Sequence, residues 1–309
     1  GCTPNKSILK FAAIDIGSNA IRLQITKVIE FDGHITFKKL EYVRFPLRLG
    51  QDVFTKGKIG EEKYEKFLKL MQAYKNLIDL YEITGYYGCA TSAMREAKNG
   101  KKLVADVKEK YDLDIEIISG REEALMINQV IGFYLDDRTF IHIDVGGGST
   151  ELNVYHNKKK VKSQSFKLGS VRRLQNFDKP EIWDDIRNWI RKHVHESYGK
   201  VTAIGTGGNI NKIFELSGAD KKAKEISIDT VNEVIDFLKT MTVDERMFKL
   251  QLNPDRADVI VPASEIYIEV MRSAKADTIL VPDVGLKDGI MYTLFQKHYE
   301  GKGEIRFKN

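Results

Sequence analysis

What the chain does not contain excludes several kinds of chemistry. Cysteine is nearly absent, with Cys2 and Cys89 the two in 309 residues. That is too few for a disulfide framework or a zinc cluster, and it fits a reducing, cytoplasmic setting. No apolar run approaches the roughly 20 residues needed to span a bilayer, so a membrane is not an expected partner. The opening residues, GCTPNKSILK, hold no apolar signal core. Gly1 stands where an initiator methionine would be, and Cys2 is open to two readings, a lipidated residue or an ordinary chain end. There is no H-E-x-x-H, no G-x-S-x-G and no Walker loop. No long basic stripe with interleaved aromatics occurs, so nucleic acid is not an expected partner either. The densest basic run, Lys158-Lys159-Lys160, follows Asn157 between two alternating runs and reads as a solvated hairpin turn. With 49 basic and 44 acidic residues the net charge is +5, which is either ordinary or a mild preference for a polyanionic ligand. Hydrophobic residues at 42% and charged residues at 30% place the chain in the soluble globular class.

What is present is a phrase that occurs twice. FAAIDIGSNAIRLQI runs from Phe11 to Ile25, and FIHIDVGGGSTELNV from Phe140 to Val154. Overlaid, Asp15 falls on Asp144, Gly17 on Gly146 and Leu23 on Leu152. Each copy reads as an apolar strand ending in Asp, a Gly/Ser/Asn turn, and a second strand. Glycine allows backbone N–H groups to close on phosphate oxygens. A carboxylate beside phosphates can hold Mg²⁺ directly or through water. One Asp-x-Gly turn says little, because such hairpins are common. Two in register, one per half, point to two related domains gripping a phosphate chain between them.

The elements repeat as well. Strands are expected at 11–16, 21–28 and 35–43, then a helix over 61–82 whose Tyr64, Phe67, Leu68, Met71, Tyr74, Ile78 and Tyr81 share one face. That stripe reads as core. A strand at 86–90, a helix over 92–111, a strand at 114–118 and a helix from Ser119 follow. The second half shows strands at 139–145, 151–155 and 161–168, a helix over 180–197, and a strand at 201–204 entering a glycine turn and helix. Helices near 229–240 and 256–274, a strand at 278–281 and a last helix from Leu286 complete it. Three strands with short turns followed by alternating helices and strands predict duplicated α/β domains with mixed sheets. The boundary is expected near 123–136, with no low-complexity linker.

Several residues are candidates for chemistry, each with a plainer reading beside it. Arg22 pairs with phosphate or is a cross-strand charge. Glu151, its counterpart in the second copy, assists a metal or water or is likewise a cross-strand charge. Thr91 and Ser92 put hydroxyls at a helix start, where they bind an anion, cap the helix, or both. Arg95 in that first turn opposes the helix dipole unless an anion offsets it. Gly205-Thr206-Gly207-Gly208-Asn209 resembles a phosphate turn. In Ser119-Gly120-Arg121-Glu122-Glu123, Ser119 and Glu122 fit a capping box, which leaves Glu123 pointing elsewhere. Glu123 is then either a general base on water or a second dipole-favoured glutamate. His193 and His195 lie two apart on an expected helix and face different ways, which makes them poor joint ligands.

The set AIDIGSNAIRL, GCATSAMREA, EIISGREEA, HIDVGGGSTEL, GTGGN and RADVIVPASEI with GLKDG resembles the exopolyphosphatase and guanosine pentaphosphate phosphohydrolase family, in order and over nearly the whole chain. The resemblance implies an α/β chain of two ribonuclease-H-like domains of the actin-like superfamily, with mixed sheets and the active site in the interdomain cleft. It implies domains at 1–126 and 127–309, with a tail of about 298–309 packing back on the first. Glu123 matches the family's catalytic base. Asp144 matches its magnesium ligand, with Asp15 and Glu151 beside it. Gly17, Ser18, Asn19 and Arg22 match the first phosphate loop, and Gly146, Gly147, Gly148 and Ser149 the second. Gly207 and Gly208 match the third loop, and Arg95, with Thr91 and Ser92, the A-T-S-A-x-R-E-A motif. Three positions depart from the usual pattern, namely Ala20 for Ser or Thr, Asn209 for Thr, and Lys287 for Arg. The chain looks like the short, two-domain kind. The implied activity is Mg²⁺-dependent removal of terminal phosphate from inorganic polyphosphate, in a cytoplasmic homodimer. Cleavage of guanosine pentaphosphate, an actin-like ATP-dependent kinase, and a non-hydrolysing polyphosphate or alarmone binder are the alternatives.

Overall fold

The computed structural model describes residues 8–306; Cys2 and the last three residues of the expected tail lie outside that range. Twelve strands among the described residues form two six-stranded mixed sheets. The first sheet contains β1 (Lys10–Ile16), β2 (Ile21–Phe31), β3 (His34–Phe45), β4 (Gly85–Ala90) and β5 (Ile115–Ile117). The second contains β6 (Phe140–Val145), β7 (Thr150–His156), β8 (Lys159–Phe166), β9 (Thr202–Thr206), β10 (Glu225–Ser227) and β11 (Thr278–Leu280). A last short strand, β12 (Glu304–Ile305), returns to pair in parallel with β3 of the first sheet. The orders are β12-β3-β2-β1-β4-β5 and β10-β11-β9-β6-β7-β8. Without the edge strands β12 and β10, each sheet runs third, second, first, fourth, fifth. The repeated phrase is therefore a repeated ribonuclease-H-like fold.

In each half the first strand is central, antiparallel to the second and parallel to the fourth. The register gives the repeated aspartates equivalent neighbours. Asp15 lies opposite Arg22 on one side and Cys89 on the other; Asp144 lies opposite Glu151 and Thr206. Both aspartates stand at carboxyl ends of strands, where α/β folds bind ligands.

The aromatic stripe packs as expected. Phe67, Met71, Tyr74 and Ile78 of the helix Glu61–Tyr81 are buried under the first sheet. The Tyr74 hydroxyl donates to the carbonyls of Val43 (2.9 Å) and Ile21 (3.2 Å), which holds the strand end next to the first loop. The helix Leu286–His298 lies on β1, β2 and β4 of the first sheet and against the helix Gly120–Ile131. Their contact is close at Gly289, where a Cβ would stand 2.4 Å from the Met126 carbonyl oxygen. The helix Gly120–Ile131 contains the expected 126/127 boundary and also touches β7 and β8.

Three expected helices differ in extent. The span 92–111 is two helices, Ser92–Glu96 and Gly100–Tyr111. Asn99 fills the break, with its side chain accepting from the Ile59 N–H and donating to the Ile59 carbonyl, both at 2.9 Å. The span 180–197 is α-helical over Glu181–Ile190 and then widens into a π turn at Arg191–His195. The span 256–274 is a short helix Pro254–Ala257 followed by Ile260–Ala274. The helix Leu49–Lys56 was not legible, since its eight residues are too few to show a period. The expected hairpin turn is present, with Asn157 and Lys158 both at positive φ. None of the described helices is long and apolar enough to cross a membrane.

Candidate active site

The two sheets face each other across a cleft of about 1040 Å³. The strand ends deliver Asp15 and Asp144, and the turn after each strand delivers Gly17, Ser18 and Asn19, or Gly146, Gly147 and Ser149. Arg22, Thr91, Ser92, Glu123, Gly207 and Gly208 also line it. Residues as distant in sequence as Asp15 and Gly208 thus meet because the pseudo-symmetric halves point the same strand ends at one space. Gly207 has φ of +121°, a conformation that favours glycine, and a Cβ there would lie 2.7 Å from the Tyr267 hydroxyl. The N–H groups of Ser18, Asn19, Gly147 and Gly148 make no hydrogen bond among the described residues.

Glu123 begins the helix Gly120–Ile131. The Ser119 hydroxyl accepts from the Glu122 N–H (3.1 Å), and the Glu122 carboxylate accepts from the Ser119 N–H (3.4 Å). The capping box consumes Glu122 and turns Glu123 into the cleft. Glu123 Oε2 is buried and has no hydrogen-bond partner among the described residues. Burial pushes its carboxyl well above the usual range, and the charges of Glu151, Asp144 and Asp15 push it further, while Arg95 opposes them. A buried carboxylate oxygen without a donor is a costly feature unless a ligand supplies one.

The other carboxylates are also proton-hungry. Burial raises Asp144 to about 6, against the Thr206 hydroxyl, which donates to its Oδ1 at 3.0 Å. Burial raises Glu151 to about 7, against hydroxyl donors Ser165 (2.8 Å) and Ser149 (3.1 Å). Asp15 is raised by burial and lowered by Arg22, whose guanidinium stands 3.6 Å away. Among the described residues no three His, Cys, Asp or Glu side chains form a preassembled metal cage. The oxygen donors Asp15 and Asp144 in the cleft wall fit a hard cation such as Mg²⁺, with water and ligand oxygens completing its shell.

Some expected residues lie elsewhere. Arg95, Gly148 and Glu151 are not in the cleft wall. The helix bearing Arg95 has only five residues, so Arg95 falls in its last turn, where its charge does not oppose the dipole. Its guanidinium donates to the Ile118 carbonyl at 2.5 Å, next to the start of the Glu123 helix. Gly148 packs under Phe54 and Ser92. Glu151 is buried beside Asp144, directly opposite it on the neighbouring strand. Thr91 occupies the cap position without capping; its hydroxyl is directed at the Ile16 carbonyl (3.4 Å), and Ser92 shares a 2.7 Å hydrogen bond with Ser18. Asn19 is a latch between the halves, since its amide donates to the Asp255 carbonyl (3.1 Å) and accepts from Arg48 Nε (2.9 Å). Arg48 then makes a bidentate pair with Asp258 at 2.6 and 2.7 Å, and Arg44 pairs with Asp255 at 2.5 Å.

The cleft holds cations that spacing did not single out. Arg256 lines it, donates to Asn209 Oδ1 at 2.8 Å, and is pushed down to about 10 by burial and by Arg44 and Arg22. The signal was the quoted RADVIVPAS stretch, whose arginine carries no local pattern of its own. Asn209 thereby holds Arg256. Lys287 also lines the cleft, and its charge acts on Asp15.

The Ppx/GppA phosphatase family model matches residues 28–298. The chain belongs to the Ppx/GppA phosphatase family. This member is 27% identical to exopolyphosphatase 2 of Mycobacterium tuberculosis over 93% of the chain and 99% of that protein. It is 29% identical to a bifunctional 3-dehydroquinate synthase/phosphatase of Fusobacterium nucleatum over 88% of the chain, and spans only 44% of that longer protein. The crystal structure of an exopolyphosphatase from Cytophaga hutchinsonii superposes with a TM-score of 0.80, covering 94% of this chain and 99% of that one at 22% identity, a likeness of fold. The family assignment makes the chain a member of a phosphatase family; its particular substrate is a separate matter.

Proposed function

We propose that this family member is a divalent-metal-dependent exopolyphosphatase that hydrolyses the terminal phosphoanhydride of inorganic polyphosphate. The observation that carries the reading is Glu123 Oε2, a buried carboxylate oxygen without a donor in a cleft walled by phosphate-sized turns. With its proton affinity raised, Glu123 would accept a proton from water and orient the oxygen for in-line attack. Free N–H groups of the two loops, with Arg22, Arg256 and Lys287, would hold the phosphoryl oxygens as charge develops on them. Asp144 and Asp15 would hold Mg²⁺, whose role is to neutralise charge on the bridging and terminal oxygens. Glu151, buried beside Asp144 on the neighbouring strand, would act on that carboxylate rather than on substrate.

Phosphate release from polyphosphates of graded length, with guanosine pentaphosphate and ATP alongside, tests the reading. Polyphosphate is the expected preferred substrate; release chiefly from guanosine pentaphosphate, or ADP formation that needs an acceptor, would replace it. Glu123→Gln is expected to lower kcat about 10³-fold without unfolding the protein. Wild-type release by a folded Glu123→Gln protein would remove Glu123 from the role of base.

A further inference from the structure

A line of buried polar groups runs behind Asp144 through the core of the second sheet. Ser163 on the exposed edge strand β8 lies 2.7 Å from Asn153 Oδ1. Asn153 Nδ2 lies 3.1 Å from His142 Nδ1. His142 Nε2 lies 2.8 Å from the Thr206 hydroxyl, which lies 3.0 Å from Asp144 Oδ1. His142 and Asn153 are each 1% exposed and Thr206 is fully buried.

The direction of every bond follows from the last one. A carboxylate only accepts, so Thr206 donates its single hydroxyl proton to Asp144. Thr206 must then accept from His142, which fixes the imidazole proton on Nε2. Nδ1 is left as an acceptor, which matches the Asn153 amide N–H₂ and turns Asn153 Oδ1 toward the Ser163 hydroxyl. A proton on Nδ1 would face another donor, so the chain has one polarity. Tyr267 ties the Thr206 backbone to the end of β6: it donates its hydroxyl to the Thr206 carbonyl and accepts from the Val145 N–H (3.3 Å).

Among the described residues the first half has no such chain. The residues in the places of His142, Asn153 and Thr206 are Ala13, Gln24 and Cys89, and Asp15 is instead approached by Arg22. Asp144 is therefore oriented by a neutral hydroxyl, where Asp15 has a guanidinium within 3.6 Å.

We infer that His142 is a positioning residue which, through Thr206, fixes the rotamer of Asp144 and leaves its second carboxylate oxygen free for a divalent cation. This rests on the reading of Asp144 as a metal ligand. Partners behind a ligand commonly change metal affinity 10- to 100-fold.

The test measures Mg²⁺ binding to the substrate-free protein by calorimetry, with circular dichroism to verify folding. His142→Leu and Thr206→Val are each expected to weaken Mg²⁺ binding about tenfold or more. His142→Gln, whose amide N–H can still donate to Thr206, is expected to recover most of the loss. The ¹⁵N spectrum of His142 is expected to show the Nε2–H tautomer. If His142→Leu does not fold, Thr206→Val and His142→Gln decide the matter. Loss of binding in Asp144→Asn with unchanged binding in the folded variants, or an Nδ1–H tautomer, overturns the role of His142 alone. Unchanged binding in Asp144→Asn overturns the metal reading beneath it.

Discussion

At the end of β1, Asp15 meets a guanidinium; at the end of β6, Asp144 meets a hydroxyl on one side and a carboxylate on the other. The strands, the register and the turn that follows are the same in both. What differs is the charge delivered by the neighbouring strand, Arg22 in one case and Glu151 in the other. A carboxylate with an adjacent guanidinium already has its counter-charge, whereas two buried carboxylates side by side leave one to be supplied. One duplicated scaffold has thus been given two electrostatic signs. The first copy suits an anion, and the second suits a cation.

The most severe way to break this comparison is to neutralise each aspartate in turn. Asp144→Asn is expected to lower kcat about 10³-fold and Asp15→Asn about 10²-fold, measured as phosphate release at saturating Mg²⁺. Equal losses would mean that the copies share the cation evenly.

Removing the charge that distinguishes the first copy comes next. Arg22→Ala is expected to act mainly on KM for the phosphate substrate, by about 2 kcal/mol or roughly 30-fold in kcat/KM. A loss confined to kcat, with KM unchanged, would move Arg22 from holding phosphate to stabilising the transition state.

A third prediction concerns pH and the uncompensated acids. Asp144 is raised from 3.8 to about 6 and Glu151 from 4.5 to about 7, with Glu123 also raised. Raised carboxyls take up protons on folding, so this stabilisation is full below the ordinary values and is lost as pH climbs through 6 to 7. The metal-free protein should melt at a lower temperature at pH 8 than at pH 5, and Mg²⁺ should raise the melting temperature more at pH 8. A Mg²⁺ shift independent of pH would separate the metal from these carboxylates.

The smallest effect is expected from making the copies alike. Cys89→Thr places near Asp15 the hydroxyl that Thr206 gives Asp144. Because Arg22 already places a counter-charge 3.6 Å from Asp15, kcat/KM should change by less than about 1 kcal/mol, roughly fivefold. A larger change would show that Asp15 depends on its other neighbour more than on the arginine.

The fold was largely legible because its signals are local and periodic. Alternation marked β1, β2 and β3, the Tyr64-to-Tyr81 stripe marked its helix, and the two Asp-Gly turns marked the duplication. The misreadings sit where a tertiary contact overrides a local pattern. Asn99 breaks the helix after Glu96 by bonding Ile59, forty residues away, and no window along the chain contains that contact. The five-residue helix it leaves puts Arg95 in a last turn, where a cation does not oppose the helix dipole. Arg256 had no pattern of its own, and only the packing of the helix Pro254–Ala257 against the Gly208 turn brings it into the cleft.

By itself, the sequence determined that there are two α/β halves, that each ends a central strand in an aspartate and a glycine turn, and that Ser119 and Glu122 cap a helix and spare Glu123. These follow from hydrogen-bond needs satisfied within a few residues. Only the tertiary structure decided which groups share the cleft. It turned Asn19 into a latch, buried Glu151 beside Asp144, recruited Arg256, and aligned Ser163, Asn153, His142 and Thr206 behind one carboxylate. Each of those outcomes depends on register between strands that are neighbours in space and distant in sequence, and burial then sets how strongly every charge among them is felt.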